Sequence, residues 1–286
     1  MRLHICGVRG STPAPGAAFA RYGGNTSCIA VAADGAAPRL VLDAGTGLRR
    51  FAEMLDGQPF RGTMLLGHLH WDHTHGLPFF AAGDRPDAEV TLLMPAQDAD
   101  TDATAVLSRC MSPPHFPIRP DELRGHWRFD CIDAGAGEIE GFTVQALEIP
   151  HKGGRTFGYR VSDGRSSVAY LSDHGPIALG PGPEGFGEYH DAALALAGGV
   201  DLLVHDAQHT VEEFPSRAHF GHSTIDYAVG LAERAGAAQL LLFHHDPVRT
   251  DDQLDALLAL HRRRFAALDA AAEGTVIDLP VRSAVG

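Results

Sequence analysis

The sequence has few cysteines and no long apolar run, and each scarcity excludes a class of protein. Its four cysteines (Cys6, Cys28, Cys110 and Cys131) lie far apart without a CxxC pair, so we expect buried, reduced thiols rather than a disulfide framework. No apolar stretch approaches the roughly 20 residues of a membrane span, and the first residues lack the apolar core of a secretion signal. We therefore expect a cytoplasmic protein without a membrane partner.

Basic and aromatic residues are also scarce, which bears on the choice of partner. Lys and Arg number 23 against 36 Asp and Glu, the net charge is −13, and aromatics make up 7% of the chain. A protein that grips nucleic acid needs a positive surface for phosphates, and single strands are often held on aromatic platforms. We therefore expect no nucleic acid partner, and instead a small anionic substrate at a site where bound metal reverses the field locally.

The 286 residues suffice for a large core, and 44% hydrophobic residues are ordinary for a globular enzyme. Two series of short apolar runs predict strands, and amphipathic stretches between them predict helices. The strands are predicted at 3–8, 27–31, 40–42, 63–66 and 90–93, then at 142–149, 157–161, 167–171, 201–204 and 239–243. The helices are predicted at 46–55, 96–108, 191–197, 224–235 and 251–268. This pattern favours two packed sheets with helices outside, but periodicity alone fits a doubly wound parallel sheet equally well.

No linker or repeat divides the chain, so we expect one domain over residues 1–286. The segment from about 83 to 128 is less regular than the rest. Its proline-rich stretch at 112–120 cannot form a continuous helix, because proline breaks the backbone hydrogen-bond ladder. This segment is either a loop that shapes the substrate site or a rigid surface connection.

The most specific motif is a cluster of histidines that directly follows an apolar run. It reads His68-Leu69-His70-Trp71-Asp72-His73. Residues two apart in extended chain point the same way, so His68 and His70 can share one ion, and a following turn can present Asp72 and His73 to a second. Imidazole and carboxylate ligands suit zinc best, with manganese or iron as alternatives.

Three further candidate ligands follow apolar runs later in the chain. His151 comes after 142–149, Asp173 after 167–171 and His244 after 239–243. Each residue alone is equally well explained as a cap or a surface residue. Because strand ends meet at one edge of a sheet, the three together predict that the first motif is completed there.

This order of motifs resembles the metallo-β-lactamase superfamily across nearly the whole chain. The resemblance implies an α/β (α+β) fold, a four-layer αββα sandwich, with two divalent metal ions at one edge of the sheets. It also implies that His68, His70 and His151 hold one ion, that Asp72, His73 and His244 hold the other, and that Asp173 bridges them beside a water or hydroxide. Members of this superfamily often form dimers, so the resemblance is also compatible with a homodimer.

The last third of the chain is similar to ribonuclease Z and to small phosphodiesterases of that superfamily. Gly221-His222-Ser223-Thr224 matches a Gly-His-Ser-Thr motif, and Val204-His205-Asp206-Ala207 resembles a His-Glu-Ala-Thr motif with aspartate in place of glutamate. The resemblance implies that Asp206 and His222 assist phosphodiester cleavage. On chemical grounds we expect His222 to donate a proton to the leaving group, Asp206 to orient His222, and Asp72 to help orient the attacking hydroxide. Alternatively, His222 is a neighbour of a helix N-cap and Asp206 a polar strand end.

We therefore predict a metal-dependent hydrolase, a phosphodiesterase that cleaves a small phosphodiester, cyclic ones included, by a metal-bridging hydroxide. One alternative is a carboxyl-ester, lactone or lactam hydrolase that uses the same site. A second is a tRNA 3′-processing endonuclease, although the chain has no basic arm to grip tRNA. A third is a non-catalytic metal-binding scaffold. Arg9 and Asn25 lie in glycine-rich loops that either contact the phosphate or serve as packing turns.

Overall fold

Strands and helices alternate along the computed structural model, which describes residues 1–280. The fourteen strands in this range are β1 (Arg2–Gly7), β2 (Cys28–Ala32), β3 (Leu40–Leu42), β4 (Arg61–Leu65), β5 (Glu89–Pro95), β6 (His126–Ile132), β7 (Gly135–Ile139), β8 (Phe142–Ile149), β9 (Thr156–Ser162), β10 (Ser167–Leu171), β11 (Leu202–Asp206), β12 (Leu240–Phe243), β13 (Leu268–Ala270) and β14 (Val276–Asp278). The seven α-helices in this range are α1 (Leu48–Met54), α2 (Trp71–Thr74), α3 (Ala103–Ser108), α4 (Asp191–Ala197), α5 (Phe214–Arg217), α6 (Ile225–Ala235) and α7 (Asp251–His261).

The strands form two seven-stranded sheets, which resolves the choice that periodicity left open. The first sheet has the order β14-β1-β2-β3-β4-β5-β6, and the second has the order β13-β12-β11-β10-β9-β8-β7. Each sheet is mixed: β3 to β6 are parallel neighbours in the first, as are β10 to β13 in the second, and the remaining pairs are antiparallel. The fold is therefore the expected αββα sandwich.

The central strands are buried on both faces because each has a sheet on one side and helices on the other. In β2, Ile29 and Val31 join the core between the two sheets, whereas Cys28 and Ala30 face the outer layer that contains α1. Leu203 of β11 likewise packs on the helices of the second sheet. This double burial explains why these strands are continuous apolar runs instead of alternating ones.

Two predicted helices are wrong in length. The helix predicted at 96–108 is α3 alone, because Thr101 Oγ1 accepts hydrogen bonds from the N–H groups of Gln97 and Asp98 in a turn, and the Asp102 carboxylate caps the helix start. The helix predicted at 251–268 ends at His261, and Leu268 instead pairs with Leu240 in the second sheet. Sheet pairing outweighs helix propensity there.

Parts of the less regular segment are in fact regular. It contains all of β5 and α3, a short 3-10 helix at Pro120–Glu122 and the start of β6, and only the remainder forms loops and turns. The strands β6, β7, β13 and β14 were not predicted, because they are short or largely exposed and lack an apolar run.

The cysteines follow the expectation only in part. All four are free thiols, and Cys6 and Cys28 are buried, but Cys110 is exposed and Cys131 is half-buried. Cys110 lies just beyond the end of α3, where the chain runs over the surface. Among residues 1–280, no helix is long and apolar enough to cross a membrane.

Candidate metal centre and active site

The first sheet supplies four of the candidate ligands from one short segment. His68 and His70 follow β4 in extended chain, and Asp72 and His73 lie on α2, which begins directly after His70. The rings of His68 and His70 are 4.3 Å apart between centroids, and those of His68 and His73 are 4.2 Å apart. The expected turn is thus one turn of helix, and it brings all four side chains to the edge of the sandwich.

The second sheet supplies its candidate ligands one at a time. His151, Asp173 and His244 follow the ends of β8, β10 and β12, respectively, and reach the same edge. His244 has a φ of 57°, the left-handed region that is unfavourable for residues with a side chain. Its ring leaves no room at Gly10, where a Cβ would lie 2.4 Å from His244 Nδ1. A strained backbone and a glycine are therefore both needed to place this imidazole.

The seven side chains form two adjoining clusters. His68, His70 and His151 make one, and Asp72, His73, Asp173 and His244 make the other, with the potential ligand atoms of each cluster within 4.8 Å of one another. Asp173 faces both clusters: its Oδ1 lies 3.8 Å from His68 Nε2 and 3.6 Å from His151 Nε2, while its Oδ2 lies 3.0 Å from His73 Nε2 and 3.4 Å from His244 Nε2. This grouping matches the split that the resemblance implies.

Several buried polar atoms in these clusters have no hydrogen-bond partner within the protein. They are both ring nitrogens of His68, His73 Nε2, His244 Nδ1 and Asp173 Oδ2. Unpaired buried polar atoms are costly, and native structures contain few of them. His73 Nε2 and Asp173 Oδ2 approach closely without hydrogen-bond geometry, as expected for two lone pairs that converge on a cation. The donor set therefore fits divalent metal ions.

The protonation states agree with this fit. Burial lowers the pKa of His68, His70 and His151, so these imidazoles are neutral at pH 7 and keep a lone pair for a metal. Burial also opposes protonation of His73, but the carboxylates of Asp173, Asp72 and Asp43 raise its pKa well above the usual range. A positive charge is thus favoured among these carboxylates, whether a proton or a metal ion carries it.

Asp43 is a functional candidate that the sequence reasoning missed. Its Oδ2 accepts a hydrogen bond from His73 Nδ1 at 2.7 Å and another from the Tyr170 hydroxyl at 2.7 Å, and its Oδ1 accepts from the Gly67 N–H at 2.7 Å. Such a carboxylate fixes the tautomer of a ligating histidine and directs its Nε2 to the metal. Asp43 follows β3 just as Asp173 follows β10, so the same strand-then-aspartate signal could have found it.

Backbone groups hold the other side chains of the site. His151 Nδ1 donates to the Gly221 carbonyl at 2.7 Å, which leaves His151 Nε2 facing its cluster. The Ser11 N–H donates to Asp72 Oδ2 at 2.6 Å. Ser11 has a φ of 64° and its hydroxyl accepts a hydrogen bond from the Gln208 amide, so this N-terminal loop is held in place from the second sheet.

His222 and Asp206 form a buried pair beside the clusters. His222 Nδ1 is 2.9 Å from Asp206 Oδ2, and Asp206 also accepts hydrogen bonds from the N–H groups of His174 and Gln208. Burial by itself lowers the pKa of His222, but the neighbouring charges of Asp206, Asp173 and Asp72 raise it to about 9. His222 is therefore held in one orientation and its protonated form is favoured at neutral pH.

The clusters open into a cleft of about 350 Å³, called the His/Asp cleft below. It is lined by Ser11, Leu69, His70, Trp71, Asp72, Asp173 and His222. Arg9 and Asn25 do not line it. The Arg9 guanidinium is buried and donates to the carbonyls of Gly23, Asp246 and Arg249, and the Asn25 side chain donates to Glu273. For these two residues the packing interpretation is correct.

The fold and the site together define a metallo-β-lactamase sandwich with a His/Asp cluster suited to divalent metal at one edge of its sheets. Residues 38–245 match the model of the beta-lactamase superfamily domain, which is most of the chain. The protein therefore belongs to the β-lactamase superfamily.

Individual relatives and structures agree with this assignment. The chain is 30% identical to a ribonuclease Z from Limosilactobacillus fermentum over 224 residues, which are 63% of this chain and 68% of that protein. Its fold is similar to the metallo-beta-lactamase fold protein YhfI from Bacillus subtilis (TM-score 0.70, 18% identity, 97% of this chain and 99% of that chain). It is also similar to a diphosphatase from the PhnP family (TM-score 0.66, 20% identity, 98% of each chain). At these identities the two structures support the fold alone.

Proposed function

We propose that the protein is a phosphodiesterase that uses two divalent metal ions, zinc foremost and manganese or iron as alternatives, to cleave a small phosphodiester. The observation that carries this proposal is the buried His222–Asp206 pair, whose histidine lines the same cleft as Asp72 and Asp173. A phosphodiester has a poor alkoxide leaving group, which needs a proton as it departs. Hydrolysis of an activated ester or lactam does not obviously need such a pair.

The residues divide the work as follows. His68, His70 and His151 would hold one ion, and Asp72, His73 and His244 the other, with Asp173 shared between them. When bound, the ions supply a water of lowered pKa and neutralise charge on phosphate oxygens. Asp72 accepts the Ser11 N–H through one oxygen and helps to orient the nucleophile.

Proton delivery to the leaving oxygen is the role of His222. Asp206 holds its Nδ1, which leaves Nε2 as the nitrogen that can face substrate in the cleft. Two backbone N–H groups fix Asp206 in turn, so the proton donor is positioned before substrate binds. The −13 net charge favours a small substrate over a polyanion.

Processing of RNA is the second candidate, because the relative at 30% identity is a ribonuclease Z. Both candidates use the same phosphodiester chemistry and differ in the size of the substrate. A long RNA must approach a protein in which acidic residues outnumber basic ones, and the resulting charge repulsion should weaken its binding, most of all at low salt.

A substrate panel with defined metal tests these assignments. Bis-p-nitrophenyl phosphate, cyclic nucleotides, a precursor tRNA and a lactone are compared with the zinc- or manganese-loaded protein, alongside elemental analysis of the ion content. We expect two ions per chain and turnover of the small phosphodiesters that chelation abolishes and metal restores. Turnover of the lactone alone would contradict the proposal. Cleavage of precursor tRNA without the small substrates would favour the second candidate, and fewer than two ions would favour a scaffold.

A further inference from the structure

An apolar groove of about 700 Å³ lies beside the His/Asp cleft. One wall is α2 and the turn at Leu77–Phe79, and the other is α3 with the loop that follows it. Its lining is mostly apolar and includes Leu77, Phe79, Val106, Leu107, Met111 and Phe116. The second wall of the groove is thus formed by the segment that the sequence marks as less regular.

The groove and the His/Asp cleft are continuous. Leu69 and Trp71 line both of them, and these two residues alternate with the candidate ligands His70 and Asp72 along the chain. A molecule with its phosphate in the cleft can therefore extend into the groove without leaving the protein surface. Continuity with the site distinguishes this groove from an isolated surface patch.

The two parts of this continuous surface differ in chemistry. The cleft presents imidazoles and carboxylates, whereas the groove presents mainly aliphatic and aromatic side chains, with Thr46, Thr74, His75, Arg109 and His115 as its polar members. Two aromatic side chains at the groove are unusually open to solvent: Trp71 is 62% exposed and Phe79 is 68% exposed. Phe79 and Phe116 both line the groove and contact each other edge to face, with ring centroids 5.8 Å apart. Exposed apolar surface next to a polar cleft is typical of a ligand-binding region.

We propose that this groove binds a large apolar substituent, aryl or alkyl, of the phosphodiester substrate. The inference rests on the proposed function and adds to it the class of substrate. An apolar lining stabilises an aryl or alkyl group by removing it from water, whereas it leaves the polar edges of a sugar or nucleobase without full hydrogen bonding. The phosphate then lies in the cleft and the apolar substituent packs against the contacting pair Phe79 and Phe116.

A series of p-nitrophenyl phosphodiesters with one leaving group and different second substituents tests the proposal. The substituents are methyl, octyl, naphthylmethyl (called the naphthyl ester below) and thymidine-5′-yl, all joined through an alkyl carbon, so that the leaving group and the chemistry stay constant while the group offered to the groove changes. We expect kcat/KM to rise about tenfold or more from the methyl to the octyl or naphthyl ester, mainly through KM. A thymidine ester that exceeds both apolar esters would overturn the assignment of an apolar ligand.

Phe79→Asp is the groove variant, because an exposed side chain can be changed with little risk to folding. It should bring the ratio of naphthyl to methyl kcat/KM close to one. Leu260→Ser, which changes an apolar residue of 54% exposure on α7, is the matched control and should keep the wild-type ratio. An unchanged ratio in Phe79→Asp would overturn the proposal.

A binding measurement separates failure of this proposal from failure of the proposed function. N-phenyl-1-naphthylamine, a neutral fluorescent probe, should bind the metal-free wild type and the Leu260→Ser control but bind Phe79→Asp at least several-fold more weakly. Methyl ester turnover without any preference for apolar esters would overturn the groove assignment alone. Absence of all phosphodiester turnover would overturn the proposed function and, with it, the substrate class, even if the probe binds. A dimer that Phe79→Asp dissociates with no change in ester preference would assign the groove to a second copy of the chain.

Discussion

The two sheets contribute to the candidate metal centre in different ways. The first sheet delivers His68, His70, Asp72 and His73 from six consecutive residues at the end of one strand. The second sheet delivers one residue from each of several strand ends, and these positions are far apart in the chain. A contiguous motif can form its geometry locally, whereas the second set depends on the correct order and register of the whole sheet.

The support for the two sets differs as well. Among the ligands from the first sheet, His73 is held by a hydrogen bond to the Asp43 carboxylate. Asp43 in turn accepts a hydrogen bond from Tyr170 of the second sheet. On the side of the second sheet, backbone groups hold the functional side chains. The Gly221 carbonyl accepts a hydrogen bond from His151, and the N–H of His174 donates one to Asp206. Side-chain contacts through Asp43 therefore join the two sheets next to the site, and backbone groups of the loops hold His151 and Asp206.

The largest effect is expected at Asp173, which faces both ligand clusters. Asp173→Asn removes the charge that faces both clusters while keeping the shape of the side chain. We expect the ion content to fall and phosphodiester turnover to drop by at least about 10³-fold, because a metal contributes several kcal/mol to the transition state. Elemental analysis and steady-state kinetics measure this. Asp252→Asn, at a side chain with 95% exposure, is the control, and retention of full ion content in Asp173→Asn would exclude a bridging role.

A smaller effect, confined to proton delivery from the second-sheet side of the site, is expected for His222→Ala. Turnover of an alkyl phosphodiester should fall about 10²–10⁴-fold, because its alkoxide needs a proton, while p-nitrophenolate departs with little help. Asp206→Asn should show the same dependence on leaving group to a lesser degree, since it only positions His222. Equal losses on both substrates would rule out the proton-donor role, and elemental analysis checks that the ions are still bound.

The corresponding test for the ligands from the first sheet is Asp43→Asn. We expect metal affinity to fall about 10–100-fold, as is usual when the hydrogen-bond partner of a ligating histidine is weakened. Competition with a chromophoric chelator measures the affinity. Tyr170→Phe removes only one of the hydrogen bonds to Asp43 and serves as the matched control, with a smaller loss. Equal affinities in Asp43→Asn and wild type would show that Asp43 acts in packing only.

The smallest effects are expected from two helix caps, one near the site and one remote from it. The Thr224 hydroxyl accepts from the Tyr227 N–H at the start of α6, and the Thr250 hydroxyl accepts from the Gln253 N–H at the start of α7. Each Thr→Ala change should lower the free energy of unfolding by about 0.5–2 kcal/mol in a denaturant titration. Only Thr224→Ala should also lower turnover, because Thr224 follows His222 by two residues. Equal turnover in the two variants would mean that the cap does not help to place His222.

The difference between the halves also explains what the sequence could predict. The first motif is recognisable by itself, and the three downstream residues share one signal, a polar residue directly after an apolar run. The sandwich is implied by the resemblance of these motifs to the metallo-β-lactamase superfamily, whereas periodicity alone leaves the sheet arrangement open.

Other features depend on tertiary contacts that no local pattern contains. The end of α7 at His261 reflects the pairing of Leu268 with Leu240, and the exposure of Cys110 reflects the path of the chain beyond α3. The contact between Ser11 and Asp72 joins residues 61 positions apart and depends on a positive φ at a serine. The apolar groove likewise arises only when α2 and α3 come together.

The hydrogen bond from His151 to the Gly221 carbonyl has a thermodynamic consequence. One end of this contact belongs to a candidate metal ligand, and the other is the residue directly before His222. Metal binding and the position of the His222 loop are therefore coupled. By linkage, a ligand bound at this loop changes the free energy of metal binding by the same amount as the metal changes the free energy of binding that ligand. A ligand that binds and orders the His222 loop should raise the affinity for the ion, and an ion-depleted protein should bind that ligand correspondingly more weakly.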